Sequence, residues 1–229
     1  MRVKICGIQN EAELETAVKA GADAVGFQVG QVYASQSFIL PSTARRLAEN
    51  LPVFITPVLV THLNTAEAIF ELLDHAEIYA VQLTDCQVDE VAKLRDKLPA
   101  AGKIIYTEYV HEQINEMKMA ELLPLIDAIN LDCYNLASNL VGVDSPNKCY
   151  AWGAGAEYVK RAALPVILSG RLNAGNAAEA IAAVRPYAVD ACTQLKNADG
   201  VLDPAVSANF IWECKKSFFT INHRGNENA

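Results

Sequence analysis

Eight times along the chain, a short apolar run rich in β-branched residues alternates with a longer Ala/Leu/Glu/Lys segment at helical spacing. The spacing predicts strands at about 3–6, 24–28, 54–60, 79–83, 103–108, 127–131, 165–169 and 187–191. Helices are predicted at about 10–20, 42–50, 64–74, 87–98, 114–123, 154–163, 173–183 and 204–218. Each strand–helix unit leaves apolar edges that only neighbouring units can cover, so the units must assemble side by side. A faint repeat runs through the pattern. Asp23-Ala24-Val25-Gly26-Phe27, Tyr79-Ala80-Val81-Gln82-Leu83, Asp127-Ala128-Ile129-Asn130-Leu131 and Tyr187-Ala188-Val189-Asp190-Ala191 share a polar residue, then Ala, then an apolar residue.

Eight units favour an α/β fold of the (β/α)₈ TIM-barrel class over an open doubly wound sheet, and no G-x-G-x-x-G follows the first strand. No Pro/Gly/Ser linker divides the 229 residues, which reads as one domain over 1–219 followed by a polar tail at 220–229.

The formal net charge of −8 and the lack of any Lys/Arg run argue against a nucleic-acid partner. No apolar stretch approaches the ~18 residues of a membrane span, and Met1–Gly7 reads as a strand rather than a signal peptide. The six cysteines form no C-x-x-C pair, which suggests reduced thiols and a cytoplasmic location. The four histidines form no metal-binding pattern, and neither metal nor cofactor is expected.

A barrel of this kind builds its active site at the carboxyl ends of its strands. That selects Cys6, Asp132, the Ser169-Gly170-Arg171-Leu172-Asn173 turn, Asp190, Thr193 and Gln194. Lys4 and Cys6 share one face of the first strand. Cys6 could be a small apolar core residue, or a reactive thiolate if positive charge lies near. Asp132 closes a buried strand, where a carboxylate is costly unless it caps a turn or serves a function. Asn173 could cap the helix predicted from 173, or the amides there could receive a phosphate.

Several segments together resemble the phosphoribosylanthranilate isomerase family: Lys4-Ile5-Cys6-Gly7, Ala20–Phe27, Val81-Gln82-Leu83, Asn130-Leu131-Asp132, Pro165–Gly170 with Leu172-Asn173, and Ala188-Val189-Asp190. The resemblance covers about residues 3–210. It implies an Amadori rearrangement that turns an N-(5-phosphoribosyl) amine into a 1-amino-1-deoxyketose phosphate, the anthranilate case belonging to tryptophan biosynthesis. It also implies Cys6 as base and Asp132 as acid, facing each other across the mouth, because strands one and six are three apart in a ring of eight. Gly170, Arg171, Asn173, Asp190, Thr193 and Gln194 would then hold a small phosphorylated substrate, in a monomer or homodimer.

The chain departs from the family where that family carries an arginine after strand two (here Ser35-Gln36-Ser37-Phe38) and His-Gly after strand four (here Thr84-Asp85). It departs again at the Gly-rich loop after strand six (here Gly142–Asn147), at paired glycines after strand seven (here Gly170-Arg171) and at a Ser/Gly loop after strand eight (here Cys192–Lys196). Arg171 and Lys196 could supply compensating charge. Two alternatives stay open: a diverged relative acting on another small anionic substrate, and a silent ligand-binding barrel. A Schiff-base aldolase would need a desolvated lysine, for which Lys4 and Lys103 are the strand candidates.

Overall fold

The computed structural model describes residues 1–32, 35–110, 113–134 and 150–224, with side chains up to residue 220. Eight parallel strands run β1 Arg2–Cys6, β2 Ala24–Gln28, β3 Thr56–Thr61, β4 Ala80–Thr84, β5 Lys103–Tyr109, β6 Ala128–Asp132, β7 Val166–Ser169 and β8 Ala188–Ala191. They pair in sequence order, and β8 closes the ring onto β1 with Lys4 beside Asp190 and Ile5 beside Ala191. The described helices are α1 Glu11–Ala20, α2 Pro41–Glu49, α3 Ala66–Ala76, α4 Val88–Lys97, α5 Glu116–Leu122, α6 Trp152–Val159, α7 Ala177–Val184 and α8 Pro204–Arg224. The barrel expected from the alternation is the barrel observed.

Strand alternation divides each β-segment between two environments. Val3, Ile5, Val25, Phe27, Leu59, Val81, Leu83, Ile129, Leu131 and Val189 face outward and pack with helix residues such as Leu14, Leu47, Ile69 and Leu73 in one continuous apolar core. The alternate residues face inward, and toward the carboxyl ends they are polar: Lys4, Gln82, Thr107, Asn130, Ser169 and Asp190 are all buried. The four sequence repeats become β2, β4, β6 and β8, each opening on its alanine. Alanine at the same height on alternate strands makes one small-residue layer of the interior.

Several boundaries differ from expectation, three of them with a visible cause. β3 starts at Thr56 rather than 54, because Phe54 takes φ 77°, a left-handed conformation that no strand accommodates. α7 starts at Ala177 rather than 173: the Asn173 amide donates to Asn176 Oδ1 at 2.8 Å, and Asn173 Oδ1 accepts from the Gly175 amide at 2.8 Å. These mutual bonds make a separate turn, so Asn173 does not cap the helix and Asn176 occupies that position. α8 continues to Arg224, past the end expected at 218 and into the segment expected as tail, with the Ser217 and Thr220 hydroxyls donating to carbonyls one turn earlier. Residues 225–229 lie outside the described ones, as does the Gly142–Asn147 segment.

Among the described residues no helix is long and apolar enough to cross a membrane, and no group of His, Cys, Asp and Glu could hold a metal ion.

Candidate active site

A pocket of about 260 Å³ opens at the carboxyl end of the barrel. Cys6, Asp132, Gly170, Arg171, Asp190, Thr193 and Gln194 all line it, so seven of the eight residues singled out from sequence converge there. Asn173 does not. It serves the turn before α7 and also donates to the Arg171 carbonyl at 3.4 Å. That turn therefore uses the Asn173 and Gly175 amides itself and does not present them to an anion.

Cys6 ends β1 and is buried, with its sulfur so near β2 that a Cβ on Gly26 would lie 2.7 Å from it. Below it Lys4 Nζ donates to Asp190 Oδ2 at 2.7 Å, a buried ion pair bridging the β1–β8 seam. Burial works against the Lys4 charge, but Asp190, together with Cys6 and Cys192, outweighs it and holds the lysine above its ordinary range. Lys103 is exposed and paired with Asp127 at 3.0 Å. A Schiff-base lysine needs a lowered pKa in the pocket; Lys4 is shifted the other way and Lys103 does not line the pocket.

Asp132 ends β6, and its Oδ1 accepts from the Tyr134 amide at 3.1 Å. Gly170, at φ 103°, makes room for it, since a Cβ there would lie 2.6 Å from Asp132 Oδ1. Next in sequence, Arg171 takes φ 50°, and after β4 Asp85 takes φ 56°. Both stand where the resembled family places glycine, and both keep the left-handed backbone that glycine adopts freely. The Arg171 guanidinium lies over the Tyr134 ring at 4.7 Å from its centroid and donates to the Tyr134 hydroxyl at 2.7 Å.

Lys196 follows the 3-10 turn Thr193–Leu195 that leads out of β8. Its buried ammonium donates to the Gly7 carbonyl at 2.8 Å, to Ser37 Oγ at 3.0 Å and to Gln9 Oε1 at 3.3 Å, and lies 3.7 Å from Glu13. Ser37 lies in the stretch where the resembled family carries its arginine, so the segment after β8 brings a buried ammonium to that stretch.

Of the inner polar ring, sequence reasoning singled out Asp190 and missed Gln82 and Asn130 as site residues. Gln82 Oε1, Asn130 Oδ1 and Asp190 Oδ1 are buried with no hydrogen-bond partner among the described residues, and all three side chains border the pocket. Orphaned acceptors of this kind call for donors from a ligand or from water. Cys192, beside Cys6 in the same pocket, was also missed as a site residue.

The family model described as N-(5'-phosphoribosyl)anthranilate (PRA) isomerase matches residues 3–212. The chain belongs to the phosphoribosylanthranilate isomerase family. An N-(5'-phosphoribosyl)anthranilate isomerase 2 of Methanosarcina mazei is 38% identical over the whole of both chains. The N-(5'-phosphoribosyl)anthranilate isomerase of Halorubrum lacusprofundi is 31% identical over 92% of this chain and 94% of its own. Among solved structures, the phosphoribosyl anthranilate isomerase of Thermotoga maritima superposes with a TM-score of 0.76 at 30% identity, covering 94% of this chain and 99% of that one. A phosphoribosyl anthranilate isomerase in complex with reduced 1-(o-carboxyphenylamino)-1-deoxyribulose 5-phosphate superposes with a TM-score of 0.75 at 30% identity and the same coverage. A further structure, of monomers generated from the dimeric Thermotoga maritima isomerase, superposes with a TM-score of 0.72 at 27% identity, over the same shares of both chains.

Proposed function

We propose that this protein isomerises N-(5'-phosphoribosyl)anthranilate to the corresponding 1-amino-1-deoxyketose phosphate, with Asp132 as acid and Cys6 as base. The observation that carries the reading is that both side chains line one pocket from strands three apart in the ring. Asp132 gives its proton to the ring oxygen as the C1–O bond breaks, and the nitrogen lone pair forms the iminium. The Cys6 thiolate then takes the C2 proton, and the electrons of that C–H bond form C1=C2. The resulting enolamine becomes the ketone as the C2 hydroxyl loses a proton and C1 gains one. No oxidant or reductant enters.

The orphaned oxygens of Asp190, Asn130 and Gln82 suit sugar hydroxyls, while Gly170, Arg171, Thr193 and Gln194 flank the rim where a phosphate would be held. The test is turnover of phosphoribosylanthranilate by the wild type, Cys6→Ala and Asp132→Asn. The wild type consumes it and each variant loses about 10²–10⁴-fold in rate. A wild type without turnover would overturn the reading.

A homodimer is the second part of this reading. Phe54 is 96% exposed at the amino end of the barrel, held outward by its left-handed backbone. It borders a cavity of about 340 Å³ whose other walls include Arg2, Ile105, Ile167 and Tyr187. An exposed aromatic beside a partly apolar hollow on one face is self-complementary under a two-fold axis.

A further inference from the structure

The two sulfurs at the β1–β8 seam form a pair. Cys6 and Cys192 lie on neighbouring strands at the same height, and both border the pocket. Their approach follows from the register: Ile5 sits beside Ala191, so the next residues on the two strands meet at the barrel mouth. The space around them is tight, since a Cβ on Gly7 would lie 2.8 Å from the Cys192 sulfur. Gln28, from β2, donates its side-chain amide to Cys192 Sγ at 3.7 Å.

A base made from a buried thiol needs a reason to ionise. Lys4 is the obvious source of positive charge, yet its ammonium is held by Asp190 at 2.7 Å, and the Asp190 charge opposes ionisation of the sulfur above. Burial opposes it as well. What remains is a donor beside the sulfur, and the strand register places the Cys192 thiol there. We propose that Cys192 is a positioning residue for the reaction assigned above, its thiol donating to the Cys6 sulfur and holding it as the proton-accepting thiolate.

The electrostatics of the two groups agree with this division of roles. The Cys192 contact pulls Cys6 down most, burial pushes it up, Lys4 lowers it, Asp190 raises it and Gln28 lowers it, leaving the thiol at about 7 instead of 9.0. Cys192 moves the opposite way, held protonated by its bond to Cys6 and by burial, with the neighbouring Lys196 opposing. One sulfur of the pair ionises and the other stays a donor, as hydrogen bonding to the charged form requires. Among the described residues, Lys4, Asp190 and Lys196 act on this pair from β1, β8 and the turn beyond it, and His62, Tyr109, Asp132 and Tyr134 face the same pocket.

The proposal rests on Cys6 as base, and its test separates the two ideas. Thiolate absorbance in the ultraviolet is titrated against pH in the wild type, Cys192→Ala and Cys192→Ser, with Cys6→Ala subtracted to isolate the Cys6 signal. The same proteins are assayed with phosphoribosylanthranilate across the pH range. In Cys192→Ala the Cys6 midpoint rises by about one unit or more, a tenfold loss of thiolate well below the midpoint. The acid limb of kcat/KM moves by the same amount, and activity recovers at alkaline pH. Cys192→Ser keeps a donor and restores most of the wild-type midpoint. An unmoved midpoint in Cys192→Ala, or an equal shift in Ala and Ser, overturns the proposal. A uniform loss of activity at every pH overturns it too, since packing alone would produce that. A shifted thiolate with no turnover in any form sinks the assigned reaction and leaves the sulfur pairing standing.

Discussion

At the scale of single residues, the site depends on small groups that leave room for reactive ones. Gly170 combines φ 103° with a Cβ position only 2.6 Å from Asp132 Oδ1 and 2.7 Å from the Tyr134 amide nitrogen. Gly170→Ala therefore strains the backbone by about 1–2 kcal/mol and must also displace the carboxylate. The expected result is a fall of a few degrees in Tm with a loss of about a hundredfold in kcat, measured on the same preparation. A stable variant with unchanged kcat would show that the glycine does not set the position of Asp132. Cys192 illustrates why some of the site was illegible. In sequence a cysteine after an apolar run reads as a small hydrophobe, and its partner lies on the first strand. A signal was nevertheless present: continuing the four repeats by one residue reaches Gln28, Thr84, Asp132 and Cys192, all of which line the pocket.

At the scale of elements, the strands were readable because both faces of a parallel strand are covered, which forces continuous apolar runs. The helix starts were less readable, because a side chain that caps a helix and one that closes a turn are the same residue types, as Asn173 and Asn176 show. The β5–β6 junction carries a testable consequence. Asp127, just before β6, accepts from the Ile104 amide at 2.9 Å, from Arg95 at 2.5 Å and from Lys103 at 3.0 Å, tying α4 to both strands. Burial pushes its carboxyl up, but the Ile104 amide, Arg95 and Lys103 together leave it below the usual carboxylate range. A carboxyl lowered by folding adds stability above its unfolded pKa of about 3.9 and loses it as pH falls through the folded value. Asp127→Asn should therefore be less stable than wild type by about 1–2 kcal/mol near neutrality, the gap narrowing steadily below about pH 4 in denaturant titrations. A gap independent of pH would remove Asp127 from the acid response.

At the scale of the whole molecule, the two ends of the barrel have different tasks. The carboxyl end gathers polar groups around a pocket, while the amino end presents Phe54 beside its hollow. Phe54→Glu should yield monomers by sedimentation at concentrations where the wild type is dimeric, with kcat retained because the pocket lies at the opposite end. A monomeric wild type would rule out the association. The ring closure has its own consequence. Lys4 and Asp190 meet although 186 positions separate them along the chain, and the β1–β8 seam that joins them also carries Cys6. The base is thus assembled by the longest-range pairing of the fold, the kind that loop-closure entropy delays most. During refolding, helical ellipticity should return first and turnover last, so that regained activity times the moment when the final strand docks against the first.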